Sequence, residues 1–357
     1  ALTRLSEILP IRYREQPTGA VDVFSDSDFL VLGNVTQQLE IKTTSTSSTS
    51  FRIELSKTGH DISRSGGELR GVIEGRDDIL GGFLNRLDEF ASTLISEFNR
   101  FHSSGEGFVG YESILSQNPV FDSTVPLNQE SAGLVFTPQH GSFDIKIVNQ
   151  QTGIVETTTI PVDLDGLGAD SSLEDIRATL NGIANLSAVI TPKGELQLNA
   201  NAGYEFRFSK DTSGLLSSLG MNTFFSGTSA GDIDVSEILK TNSDFLGTGQ
   251  GDGPSDGSNL VGLLNFLEEP VATLNSLSLT GFYEQTVSQV AHDSASESAL
   301  SQGFETFRDS LRSQQQQFTG VSLDEEAIKV LELQRSYQAA ARIVTTVNEL
   351  FAVLLNL

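Results

Sequence analysis

Between Ala20 and Leu55, apolar and polar residues alternate in short runs: Val21-Asp22-Val23-Phe24, Phe29-Leu30-Val31-Leu32, Leu39-Glu40-Ile41-Lys42 and Phe51-Arg52-Ile53-Glu54-Leu55. A period of two puts every second side chain on one face of a strand. Gly, Asn and a Ser/Thr tract at residues 43–50 separate the runs, so the pattern predicts a small hairpin-rich sheet. Ahead of it, Leu2-Thr3-Arg4-Leu5-Ser6-Glu7-Ile8-Leu9 has the spacing of a helix end stopped before Pro10, and reads as a chain cut inside a helix.

The period changes after Ser65-Gly66-Gly67. Leu80, Leu84, Leu87, Ala91, Leu94, Phe98 and Phe101 step by four and three, with Asp88, Glu89, Ser92 and Glu97 on the other faces. Such a stripe predicts a long helix with a narrow seam for partner helices. A second stripe runs Leu300, Phe304, Phe307, Leu311, Gln314 and Phe318 and stops at Gly320. Ser322-Leu323-Asp324-Glu325 then reads as a capping box, opening a last helix with Val330, Leu333, Tyr337, Ala340, Val344, Val347, Phe351 and Leu354 on its seam.

Residues 134–235 read as a separate mixed unit. Phe143 to Ile147, Val155 to Val162, Leu196 to Leu198 and Tyr204 to Phe208 are strand-like, and a helix starting at Ser172 carries Leu173, Ile176, Leu180 and Ile183. Pro192-Lys193-Gly194 and Asn201-Ala202-Gly203 are turns, and the Gly-rich stretch 247–258 is a linker. The expected fold class is α+β multidomain: a coiled-coil-like antiparallel helical bundle, from both ends of the chain, carrying inserted β-rich domains. The divisions fall at 1–65, 66–112, 113–245, 246–258 and 259–357. Leu80, Leu84, Leu87, Leu94, Phe98, Phe304, Phe307, Leu311, Leu333, Tyr337, Ala340, Val344, Val347, Phe351 and Leu354 are the expected assembly interface.

Composition narrows the chemistry. With 47 acidic against 22 basic residues, a net charge of -25 and no basic patch, the 357-residue chain is unsuited to binding phosphate backbones. No apolar run is long enough to span a membrane. The absence of cysteine removes disulfides, thiol nucleophiles and thiolate metal sites together. Gly227-Thr228-Ser229-Ala230-Gly231 fits the hydrolase nucleophile pattern, but the flanking strand is too short and the only downstream histidine is His292. His60, His102, His140 and His292 have no ligand spacing, and Asp163-Leu164-Asp165-Gly166 and Asp252 with Asp256 lack the ordered carboxylates of a calcium loop. No catalytic, cofactor or metal site is therefore expected.

Gly320-Val321-Ser322-Leu323-Asp324-Glu325-Glu326, then Leu333-Gln334-Arg335-Ser336-Tyr337-Gln338-Ala339-Ala340-Ala341-Arg342 and Leu350-Phe351, closely resemble the C-terminal signature of the flagellar rod, hook and hook-associated family. Gly66-Gly67-Glu68-Leu69-Arg70-Gly71 through Arg76-Asp77, and Phe98-Asn99-Arg100-Phe101-His102 with Gly105, look like the central helix of its hook-associated members. Ser209-Lys210-Asp211-Thr212-Ser213-Gly214 and Leu219-Gly220-Met221-Asn222-Thr223-Phe224-Phe225-Ser226-Gly227 look like their inserted domain.

The resemblance implies a structural, non-enzymatic subunit that joins hook to filament. It implies export through the flagellar type III apparatus without a cleaved signal, and a place outside the cell. The implied partners are copies of itself, the hook protein, the second hook-filament junction protein and an export chaperone at the C-terminal helix; nucleic acid and membrane insertion are not expected. The family's N-terminal rod-type helix has no counterpart in these residues, and the resemblance implies that it pairs with the C-terminal helix to build the inner tube. The alternatives are the shorter second junction protein, disfavoured by the length of the insertion, and an extracellular adhesin or cell-wall-binding protein, which needs a pocket in the inserted domain.

Overall fold

The computed structural model describes residues 1–43, 51–251, 256–319 and 323–355, with side chains for all of these except 318, 319, 323 and 353–355. Residues 44–50 of the Ser/Thr tract, Asp252, the Gly320 stop, the Ser322 cap and the side chains of Phe318 and Leu354 therefore lie outside the described residues. The chain divides into two units, Ala1–Val287 and Ser288–Leu357.

The first unit opens with α1 (Leu2–Ile8), which ends where Pro10 withholds a backbone donor. The alternating runs form the antiparallel sheet β1 (Ile11–Glu15), β2 (Val21–Ser25), β3 (Asp28–Leu32) and β4 (Val35–Thr36), followed by the hairpin β5 (Leu39–Thr43) and β6 (Phe51–Leu55). Leu9, Val23, Leu30, Leu55 and Ile62 make its core, with Leu69 packed against it from the next helix. That helix, α2 (Gly67–Glu74), starts at a glycine by necessity. Gly67 has φ +69, and a Cβ there would lie 2.5 Å from the Ile8 carbonyl oxygen.

α2 continues through a π-helical turn, Gly75–Leu80, into α3 (Gly81–Ser103). Gly75 and Gly81 border this turn with ordinary right-handed helical φ values of −58 and −62, which any residue adopts.

The inserted unit is built from two three-stranded sheets, β10-β11-β7 and β12-β8-β9, where β7 is Ser113–Leu115, β8 Gly141–Asn149, β9 Val155–Val162, β10 Leu186–Ile190, β11 Leu196–Ala200 and β12 Tyr204–Ser209. Alternating residues Phe143, Ile145 and Ile147 of β8 and Phe206 and Phe208 of β12 face its core. α4 (Leu173–Asn181) closes it with Leu173, Ile176 and Leu180, and Ser172 caps it through a reciprocal bond with Asp175.

After β12, Asp211 turns the chain by accepting from Ser213 N (2.9 Å) and Oγ (2.7 Å), Gly214 N (2.9 Å) and Leu216 N (3.0 Å), which starts α5 (Leu215–Ser218). The Ser209 to Gly214 stretch is thus a cap. The hairpin β13 (Phe225–Ser226) and β14 (Asp234–Val235), α6 (Glu237–Thr241) and α7 (Ser258–Asn265) follow.

α8 (Leu279–Thr319) begins well before the Leu300 stripe, because Leu279 and Phe282 anchor its first turns in a core with Phe266, Val271 and Leu274. The second unit holds the rest of α8 and α9 (Leu323–Leu355). None of its described side chains is buried, so the bundle expected of these helices is not closed within the unit. Helices together with several separate small sheets make the chain an α+β multidomain protein.

Candidate assembly surface

The α3 stripe divides halfway along the helix. Leu80, Leu84 and Leu87 are exposed, Leu84 at 56%. From Ala91 onward the same face is covered by the chain itself, and Leu94 and Phe98, expected on the assembly seam, pack against the Phe266-Leu274-Phe282 core instead. Phe98 sits among three rings, Phe224 at 4.9 Å, Phe225 at 5.1 Å and Phe266 at 5.6 Å between centroids. A four-three spacing states that a face is covered, and leaves open whether the cover is the same chain or another.

Polar side chains fix this junction between helix and insert. Asn99 Nδ2 donates to the Phe225 carbonyl oxygen (2.9 Å), and Asn99 Oδ1 accepts from the N–H groups of Phe224 (3.0 Å) and Phe225 (2.8 Å). Asn222 Nδ2 donates to the carbonyls of Ser103 (3.3 Å) and Gly105 (3.0 Å), while its Oδ1 accepts from Tyr111 Oη (2.9 Å). Asn259 Nδ2 donates to the carbonyls of Phe101 (2.9 Å) and Gly247 (2.7 Å). Among these groups lies His102, whose Nε2 accepts from Gly247 N–H at 3.0 Å and whose Nδ1 lies 2.9 Å from the Asn222 carbonyl oxygen. The bond at Nε2 assigns the ring proton to Nδ1. Burial holds its pKa down, to about 4, so the ring is neutral. The Phe98 to Gly105 and Leu219 to Gly227 stretches, which carry part of the resemblance, are therefore one contact. Hydrophobic spacing gave no sign of it, since its hydrogen bonds come from Asn99, His102 and Asn222 and its rings meet across a long stretch of sequence.

In the second unit Phe304, Phe307, Leu311, Leu333, Tyr337, Ala340, Val344, Val347 and Phe351 are all exposed, Phe304 at 70% and Tyr337 at 78%. Leu354 lies on α9, with its side chain outside the described residues. Phe, Leu, Val and Tyr side chains thus stand exposed along both helices, an apolar surface of an extent that soluble monomers rarely leave in water. Neither helix is a membrane span: among the described residues no helix is long and apolar enough to cross a bilayer.

The Gly227 to Gly231 motif forms the loop of the β13–β14 hairpin. Ser229 Oγ donates to Asp232 Oδ1 at 2.8 Å, and the Thr228 and Ser229 N–H groups bond the same carboxylate oxygen. These bonds hold the Asp232 pKa below its usual range and make the motif a turn.

Residues 1–112 match the family described as the flagellar hook-associated protein FlgK helical domain, and residues 313–357 match the flagellar basal body rod FlgEFG protein C-terminal family. None of the curated proteins matches the chain. Among solved structures, the flagellar hook junction protein FlgK from Burkholderia pseudomallei is similar at 16% identity and a TM-score of 0.44, over 90% of this chain and 77% of that one. The family matches at the two ends define a structural subunit of the bacterial flagellum. Within that class, residues 1–112 are similar to the helical domain of FlgK-type hook-associated proteins.

Proposed function

We propose that the chain is an adaptor at the hook-filament junction, that its helices build it into the axial wall, and that it catalyses no reaction. The observation that carries this reading is the exposed apolar face of α8 and α9, which extends into the residues matched to the rod-family C-terminus. On this reading Phe304, Phe307, Leu311, Leu333, Tyr337, Ala340, Val344, Val347, Phe351 and Leu354, together with Leu80 at the end of the π-helical turn and Leu84 and Leu87 on α3, meet helices of other subunits. Burying such side chains stabilises an interface by about 25 cal/mol per Å² of apolar surface. Copies of the chain, the hook protein and the second hook-filament junction protein are the neighbours. An export chaperone covers the C-terminal helix before assembly, and the protein acts outside the cell after export without a cleaved signal. The inserted unit, whose core is complete without α8 and α9, projects from the wall.

The test is a strain deleted for this protein and complemented with a chain ending at residue 322. Hooks that shed their filaments, with the truncated chain recovered folded in the medium, are expected. Normal filaments from the truncation would overturn the reading.

A further inference from the structure

The antiparallel ladder between β8 and β9 ends at the pair Gly141↔Val162. One step beyond it, the register sets His140 opposite Asp163, and the burial alternation continues past the ladder. Val162 and Leu164 turn into the core while Asp163 and Asp165 turn outward on the face of His140. One donor atom from each of His140, Asp163 and Asp165 lies within 4.8 Å of the others. His140 Nδ1 and Asp163 Oδ1 are 3.2 Å apart.

Those two atoms do not satisfy each other. The Leu164 N–H points at His140 Nδ1 from 3.3 Å, a bond that Nδ1 can accept only with its lone pair. Asp163 Oδ1 is shielded from water and accepts no hydrogen bond among the described residues. With Nδ1 accepting from Leu164, two lone-pair atoms face each other, an arrangement that costs free energy unless a cation, proton or metal, lies between them.

We propose that His140, Asp163 and Asp165 form a binding site for one divalent transition-metal ion, zinc fitting best, in the outer part of the inserted unit. One imidazole and two carboxylates are borderline donors of the kind zinc takes, and water completes the shell. Ligands about 2.0–2.2 Å from a tetrahedral zinc are separated by roughly 3.3–3.5 Å, near the Nδ1 to Oδ1 distance already present. The Asp side is preformed: Ser171 Oγ accepts from Asp163 N–H at 2.9 Å, Leu167 N–H is held by Asp165 Oδ1 at 2.7 Å, and Gly166 N–H by Asp170 Oδ1 at 3.0 Å. The ion would tie the start of β8 to the loop leading into α4, independently of the assembly role of the helices.

Equilibrium dialysis of the full chain against zinc chloride, beside His140→Gln and Asp163→Asn, tests it. One zinc per parent chain is expected, with affinity reduced by about 10-fold or more in each variant, as when a metal site loses a partner group. Zinc is also expected to raise the melting temperature of the parent and not of His140→Gln. Since Asp163→Asn disturbs the loop, unchanged circular dichroism of His140→Gln, a surface change, guards against misfolding. Parent chain that takes up no zinc at millimolar concentration, or variants that bind it as tightly, would overturn the proposal.

Discussion

His102 Nδ1 lies 2.9 Å from the carbonyl oxygen of Asn222, a bond that ties the end of α3 to the inserted unit across a long stretch of sequence. It is one strand of a knot in which Asn99, Asn222 and Asn259 also bond backbone groups of distant segments. Buried polar groups matched this fully specify one arrangement, since any other leaves donors unpaired.

The buried histidine makes stability depend on pH. The folded pKa of His102 is held to about 4 against an ordinary 6.5, so the unfolded chain takes up the proton first. The contribution is fully present above pH 6.5 and is lost progressively as pH falls toward 4, by on the order of 3 kcal/mol at the limit. Urea midpoints measured between pH 7.5 and pH 4.5 are expected to fall more steeply for the parent than for His102→Gln. Equal slopes would show that His102 does not titrate as its burial requires.

Asn222 combines a backbone role with a side-chain role, as its φ of 53 lies in the left-handed region. Asn222→Gly keeps that conformation and deletes the bonds to Tyr111, Ser103 and Gly105, while Asn222→Ala strains the backbone as well. The glycine variant is expected to lose about 2 kcal/mol and the alanine variant about 1–2 kcal/mol more, read from denaturant midpoints. Equal losses would mean that backbone strain plays no part.

Much of the fold was legible because its periods are regular. The alternation in Val21 to Leu55 and Phe143 to Ile147 became strands as expected, and Ser172 opened a helix. β10 (Leu186–Ile190) was not, because its inward positions hold Leu186 and Ala188 in a run with Ser187, too weak an alternation to stand out. The early start of α8 was hidden by a Ser-rich sequence without a stripe, and depends on Leu279 and Phe282 entering a core formed elsewhere. At the candidate surface the stripes named the faces, yet the division of the α3 stripe at Ala91 depends on Phe224, Phe225 and Phe266 arriving from far along the chain. The His140 and Asp163 pairing needed the cross-strand register, which no spacing of ligands along the sequence reveals.

Gly194 closes a turn at φ +84, and a Cβ there would meet the Val120 carbonyl oxygen at 2.0 Å. That carbonyl belongs to a residue whose N–H donates to the Gly194 oxygen at 2.9 Å, so the turn is held to the neighbouring segment. Gly203 has a similar φ of +82 with nothing within 4 Å. Gly203→Ala therefore carries only the left-handed cost of about 1–2 kcal/mol, while Gly194→Ala adds a backbone clash and is expected to lose clearly more. Thermal melting of the two variants side by side measures the difference.

The divided α3 stripe predicts opposite phenotypes from similar substitutions. Phe98→Ala empties a site shared by Phe224, Phe225 and Phe266, and is expected to cost about 3–5 kcal/mol of stability in the isolated chain. Leu84→Ser and Phe304→Ser change exposed side chains, so their effect on unfolding is expected within about 0.5 kcal/mol. If those faces meet neighbouring subunits, the two serine variants are instead exported as folded protein and fail to retain filaments on hooks. Complementation of a deletion strain, scored by electron microscopy beside denaturation of the purified chains, separates the two classes. Leu84→Ser and Phe304→Ser strains with full-length filaments would mean that the helical faces are not the surfaces through which the subunits join.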